Sequence, residues 1–196
     1  MRRAAAVVLA AVLALPLAGC NRDVHDAPDT PDNVCPLVGT DLLERAVPGG
    51  HQTPVFRDHD SDFGNVDTCQ YQTPGDEPAN GAEATQPYRI IQVTVKHVAP
   101  GYIKEAETEA KSEFKRFCRD AGKTAYHIDK DRTCYGVFER DNGYLRVSAA
   151  AREGADLVLV FFSIFSREPG DPQALVESVR DHTMTEFQAL PEPSPS

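Results

Sequence analysis

The chain alternates most regularly over YRIIQVTVKHV from Tyr88, where Ile91, Val93 and Val95 fall on one side and Gln92, Thr94 and Lys96 on the other. A period of two predicts a strand with one face buried and one facing water. VDTCQYQT from Val66 alternates likewise, with Cys69 and Tyr71 together. Between these strands and the next group, Ile103, Ala106, Ala110, Phe114, Phe117 and Ala121 recur every three or four residues. That spacing draws one apolar stripe on a helix over 102–121. Glu107 stands one turn before Lys111, the favourable order for an ion pair along a helix, and Gly122 is placed to end it.

RTCYGVFER and GYLRVSAAA follow, parted by a turn that contains Asn142-Gly143, a hairpin signal. Arg152-Glu153-Gly154 turns into ADLVLVFFSIF, whose unbroken apolar run predicts a strand buried on both faces or central in a sheet. Asp171-Pro172 predicts the start of a last helix, 172–189, with Val176, Val179, Thr183, Phe187 and Leu190 on its apolar side. Near the other end, Thr40 is the expected N-cap of a short helix carrying Leu42, Leu43, Ala46 and Val47, stopped by Pro48 and Gly49. Stretches 50–65 and 74–87 read as polar loops, and no fixed-period repeat is present. The order is α-β-β-α-β-β-β-α. It predicts one α+β domain over 35–190, an antiparallel sheet of about five strands with helices packed on one face.

The two ends do not share this pattern. Arg2 and Arg3 precede an apolar run from Ala4 to Ala18, too short for a membrane span but suited to a secretory signal. It closes on Leu17-Ala18-Gly19-Cys20, which matches the bacterial lipobox. Residues 1–19 are therefore expected to be a removable lipoprotein signal, and Cys20 to carry a diacylglyceryl thioether that anchors the chain to the membrane. Residues 20–34, acidic and Pro-rich, read as a tether with an rms reach of about 20 Å. PEPSPS at 191–196 reads as a tail without regular structure.

Charge sharpens this picture. The whole chain carries formal charge −10, and loss of Arg2 and Arg3 takes it to −12. No basic patch is left to hold a membrane or nucleic acid, so the lipid must supply the attachment and a nucleic-acid partner is excluded. With Cys20 assigned to the lipid, Cys35, Cys69, Cys118 and Cys134 are an even set in an oxidising compartment, which predicts disulfides. Four cysteines allow three connectivities. Sequential pairing, Cys35–Cys69 and Cys118–Cys134, is preferred because it joins neighbouring predicted elements. The cysteines lie 34, 49 and 16 residues apart with no C-x-x-C, so neither zinc nor a redox thiol is expected.

These features together resemble the small actinobacterial cell-surface lipoproteins that carry a domain of unknown function, number three-five-five-eight in its series. The resemblance rests on the lipobox at Cys20, the acidic tether, C-P-L-V-x-x-x-L-L from Cys35, the C-x-Y strand at Cys69 to Tyr71, and the later helix–strands–helix order. Tyr71 stands where many members have Trp. The resemblance implies export, anchoring and cysteine bracing, and no catalytic residue.

Chemistry was sought at each motif. Asp58, Asp60 and Asp62, with His59 between, alternate as calcium ligands do, but the glycine falls one position late and Cys69 occupies the place of the bidentate Glu. The cluster is read as a solvated acidic loop, a candidate binding loop and not a metal site. Ser148 and Ser163 lie within predicted strands and lack a G-x-S-x-G elbow. His97 reads as a partly exposed edge residue and His182 as a surface position on the last helix. No phosphate-cradling glycine frame exists, and no cofactor is implied. The expected function is a non-enzymatic, lipid-anchored module for an envelope protein or glycan partner. The rival readings are a lipid or glycolipid carrier, its cavity lined by the helix faces and FFSIF, and an envelope hydrolase built on His59 or His97.

Overall fold

The computed structural model describes residues 34–53, 66–75, 87–98, 105–121, 125–129, 131–139, 144–165 and 172–190. In chain order these form α1 (Cys35–Val38), α2 (Thr40–Ala46), β1 (His51–Thr53), β2 (Val66–Gln72), β3 (Tyr88–His97), α3 (Ala106–Ala121), β4 (Ala125–Asp129), β5 (Thr133–Glu139), β6 (Tyr144–Glu153), β7 (Asp156–Phe165) and α4 (Pro172–Gln188). The strands make one sheet in the order β1-β2-β3-β7-β6-β5-β4, and every neighbouring pair is antiparallel. Two meanders, β1-β2-β3 and β4-β5-β6-β7, thus meet where β3 pairs with β7 over their full lengths, Tyr88 opposite Phe165 and His97 opposite Asp156.

The antiparallel α+β class agrees with the pattern of the sequence, and β7 is central as its apolar run requires. The sheet has seven strands, more than expected. The additional two, β1 and β4, lie at its edges. They are short: β1 has no apolar residue to alternate, and β4 has only Tyr126 and Ile128 to mark it.

The expectation that the helices share one face is overturned. Side chains alternate across β7, and both sets are apolar: Val158, Val160 and Phe162 look one way, Leu157, Leu159 and Phe161 the other. A strand apolar on both sides needs cover on both. On the first face α1, α2 and α4 supply it. Val38, Leu43, Val176 and Val179 pack there against Ile91, Val93, Val147 and Val160, all at most 5% exposed. On the second face α3 lies across β5, β6 and β7, setting Ala110, Phe114 and Cys118 against Cys134, Ala150 and Leu157. Each face also carries one disulfide. Cys35 of α1 is bonded to Cys69 of β2, and Cys118 of α3 to Cys134 of β5, the sequential pairing.

Three local expectations change with this arrangement. Lys96, expected in water, is 7% exposed because α3 covers its end of β3, and its Nζ donates to Glu113 Oε2 at 2.8 Å. Glu107 and Lys111 do not pair with each other. Arg152 Nη1 meets Glu107 Oε1 at 3.4 Å, and Lys111 Nζ meets Asp131 Oδ2 at 2.9 Å, since partners from the sheet compete with the neighbour one turn along. Thr40 is the first residue of α2, not its cap. Gly39 takes that place at φ 82°, a left-handed conformation that lets α1 and α2 follow one another with only this joint between them. A second glycine is fixed by contact: a Cβ on Gly50 would lie 2.6 Å from the Tyr71 ring and 2.8 Å from the Val47 carbonyl oxygen.

Candidate functional site

The residues proposed from sequence are distributed unevenly over the fold. Asp58, His59, Asp60 and Asp62 lie outside the described residues, as do residues 1–33 with Cys20, and 191–196; Val34, expected to close the tether, is instead 1% exposed in the core. Cys35, Cys69, Cys118 and Cys134 are all consumed in the two bridges. His97 is not on an edge. It ends an inner strand, half-exposed, with its Nδ1 2.7 Å from Asp156 Oδ1 on β7. Among the described residues no serine hydroxyl bonds that ring. Ser148 is fully buried beneath α3 with its Oγ unpartnered among the described residues, and Ser163 shares a 3.3 Å contact with the Tyr144 hydroxyl. His182 is exposed on α4, against Gly39. No described helix is long and apolar enough to cross a membrane.

What the fold does assemble is a cleft on the second face, beside α3. Its volume is about 350 Å³, and Glu113, Arg116, Phe117 and Asp120 of α3 line it together with Arg146 of β6 and Leu159 and Phe161 of β7. The geometry follows from the period of each element. Glu113 and Phe117, and Arg116 and Asp120, are one helical turn apart and so form two rows down the flank of α3. Leu159 and Phe161 are two apart on β7 and share a face, as do Arg146 and Ser148 on β6. Register brings Phe138 of β5 opposite Arg146, and Phe161 opposite Ser148.

The floor is aromatic and aliphatic. The Phe117 and Phe161 rings stand 5.1 Å apart, tilted at 59°. Arg146 crosses this floor with its Cζ 5.6 Å from the Phe138 ring centre and 5.9 Å from that of Phe161. Stacking of this kind holds a guanidinium without neutralising it, since the ring offers a quadrupole and no charge. Arg146 Nε is buried and has no hydrogen-bond partner among the described residues. The carboxylates nearby are engaged in different ways. Glu113 is tied to Lys96, while Asp120 sits in the open with Arg119 Nε 3.5 Å away. Beyond Arg146, Phe138, Tyr144, Phe165 and Tyr88 continue as an edge-to-face aromatic row, with centre-to-centre steps of 6.2, 4.8 and 6.0 Å.

Among the described residues two titrating groups are displaced from their ordinary values, and both lie away from the cleft. Burial, with the Glu44 carboxylate second, pushes the Tyr71 phenol up. The hydrogen bond from Lys111, aided by Lys115, holds the Asp131 carboxyl below the usual range. Asp131 also takes φ 58°, which a short polar side chain tolerates, and accepts both lysines from α3 across the turn between β4 and β5.

Sequence reasoning did not find this cleft. The one available signal is an arginine, Arg146, set inside a strand of otherwise small and apolar residues. That signal is weak, because a strand arginine is most often simply in water. No protein-family model matches the chain, and a search of curated proteins found no match either.

Proposed function

We propose that this chain is an exported lipoprotein of a bacterial cell envelope, anchored on the extracytoplasmic face by a diacylglyceryl group on Cys20, and that its domain is a non-enzymatic binding module. The observation that supports the reading most directly is the cysteine count. Of five cysteines, the four within the fold are joined in two bridges, one on each face. The remaining cysteine is the one in the lipobox. Bridges of this kind belong to a chain that folds in an oxidising compartment. Two acyl chains on one thioether suffice for stable attachment where a single chain does not, and an acidic protein has no electrostatic attraction to add.

The likeness to the actinobacterial lipoproteins fits the same reading. The module displays the open cleft beside α3 to envelope components. Metabolic labelling with palmitate tests the anchor: label should enter the native chain and vanish in Cys20→Ala. Equal labelling of the two would refute it.

A further inference from the structure

Resting on the binding-module reading, we infer that the cleft between α3 and the β6–β7 face takes a small apolar molecule bearing a carboxylate. The inference stands on what lines the cleft and how each charge there is occupied. Two guanidiniums line it, Arg116 on α3 and Arg146 on β6. Neither has a carboxylate within ion-pair distance among the described residues. Glu113, the acid between them, is committed to Lys96 at 2.8 Å, so those two charges cancel. Asp120 at the rim faces Arg119, which stands 3.5 Å away and outside the lining, so those two charges cancel as well. The two guanidinium charges are left over, in a chain whose formal charge is −10. The site therefore matches an anion, and a neutral molecule of the same shape would leave the guanidiniums unpaired.

The rest of the lining states what carries the charge. Leu159, Phe117 and Phe161 form an apolar floor wide enough for a flat ring system. Arg146 lies across aromatic rings and so presents a planar, pre-oriented fork, the donor geometry that suits a carboxylate. Because Phe138 and Phe161 hold the guanidinium in place, little side-chain entropy is lost when an anion docks. A cleft of about 350 Å³ is at the small end of the range for small-molecule sites, which limits the ligand to roughly one or two fused rings or a short chain.

The test uses the full chain and two probes of one shape, 2-naphthoate and its neutral counterpart 2-naphthamide, titrated by calorimetry. Naphthoate is expected to bind about tenfold or more tighter than the amide, the ratio a charge-assisted bond to a partly desolvated guanidinium provides. Arg146→Gln should erase that preference. Arg116→Gln, an exposed change that leaves the fold intact, should lower naphthoate affinity severalfold and leave the amide unaffected. Arg45→Gln, an exposed change on α2 across the sheet, should change neither. Equal binding of both probes, no binding of naphthoate by the folded chain, or full naphthoate affinity in Arg116→Gln and Arg146→Gln would each overturn the inference. Failure here leaves palmitate labelling at Cys20 untouched. Failure of that labelling removes the anchor and leaves the cleft chemistry standing.

Discussion

The two faces of the sheet are built from the same strands, yet they are completed differently. On the first face three helices cover a continuous aliphatic layer in which Ile91, Val93, Val95, Val158 and Val160 are fully buried. On the second face a single helix covers β5, β6 and β7, and Leu159, Phe161 and Arg146 are left half-buried along its flank. Close packing on one side supplies stability through removal of apolar surface from water. Incomplete cover on the other leaves apolar and charged groups where another molecule can reach them. The two faces of one sheet thus differ in how completely they are covered, while buried charge occurs on both, with Asp67 of β2 and Arg180 of α4 on the first and Lys96 on the second. Lys96, Glu113, Arg116, Asp120 and Arg146 all gather on the second face.

This contrast can be broken by experiment. The largest effect should come from adjacent residues of β7 that point opposite ways. Phe162 is 2% exposed on the first face, and Phe162→Ala should cost about 3–5 kcal/mol by denaturant unfolding. Phe161→Ala, half-buried in the cleft wall, should cost about 1–2 kcal/mol. Comparable losses from the two would show that both faces are equally packed. The bridges come next. Removing Cys35–Cys69, which closes 34 residues, should destabilise slightly more than removing Cys118–Cys134, which closes 16. Both should cost about 3–4 kcal/mol on chain entropy. A much larger loss for the second pair would mean that α3 depends on its bridge for docking, not merely for loop closure.

The Lys96–Glu113 pair sharpens the comparison further, because it is the place where α3 seals the second face. Glu113→Ala takes the carboxylate away from a nearly buried ammonium and should cost about 3 kcal/mol. Lys96→Met replaces that ammonium with an apolar chain of similar length and should cost less, since Glu113 at 18% exposure can turn to water. The reverse order would place the desolvation burden on the carboxylate. The smallest effect concerns pH. Asp131 is held below the ordinary carboxylate range chiefly by Lys111, so its contribution to stability is present above about pH 4 and fades as pH falls through the folded value. Asp131→Asn keeps the backbone conformation tolerable and removes the charge. The gap between native and variant unfolding curves should close on acidification, and a gap that widened there would contradict the sign.

How far these features were legible can be traced residue by residue. The stripe on α3, the alternation on β3 and the double-sided apolar run of β7 all belong to single elements, and a period of two or 3.6 reveals them without tertiary information. β1 and β4 went unseen because three- and five-residue edge strands are held by backbone pairing to a neighbour, not by an apolar pattern of their own. Lys96 looked exposed for a related reason. Its alternation shows which face it is on, while its burial depends on a helix that arrives from elsewhere in the chain.

By itself, then, the sequence determined the α+β class, the central place of β7 and the sequential pairing of Cys35 with Cys69 and Cys118 with Cys134 as the preferred bridges. Those are properties of local period, composition and count. Only the tertiary structure decided that helices take both faces, that Glu107 meets Arg152 and not Lys111, and that Arg146, Arg116 and Phe161 line one cleft. Side chains from β6, β7 and α3 come together there through strand register and helix docking, and those depend on pairings between segments far apart in the chain, which no local pattern encodes.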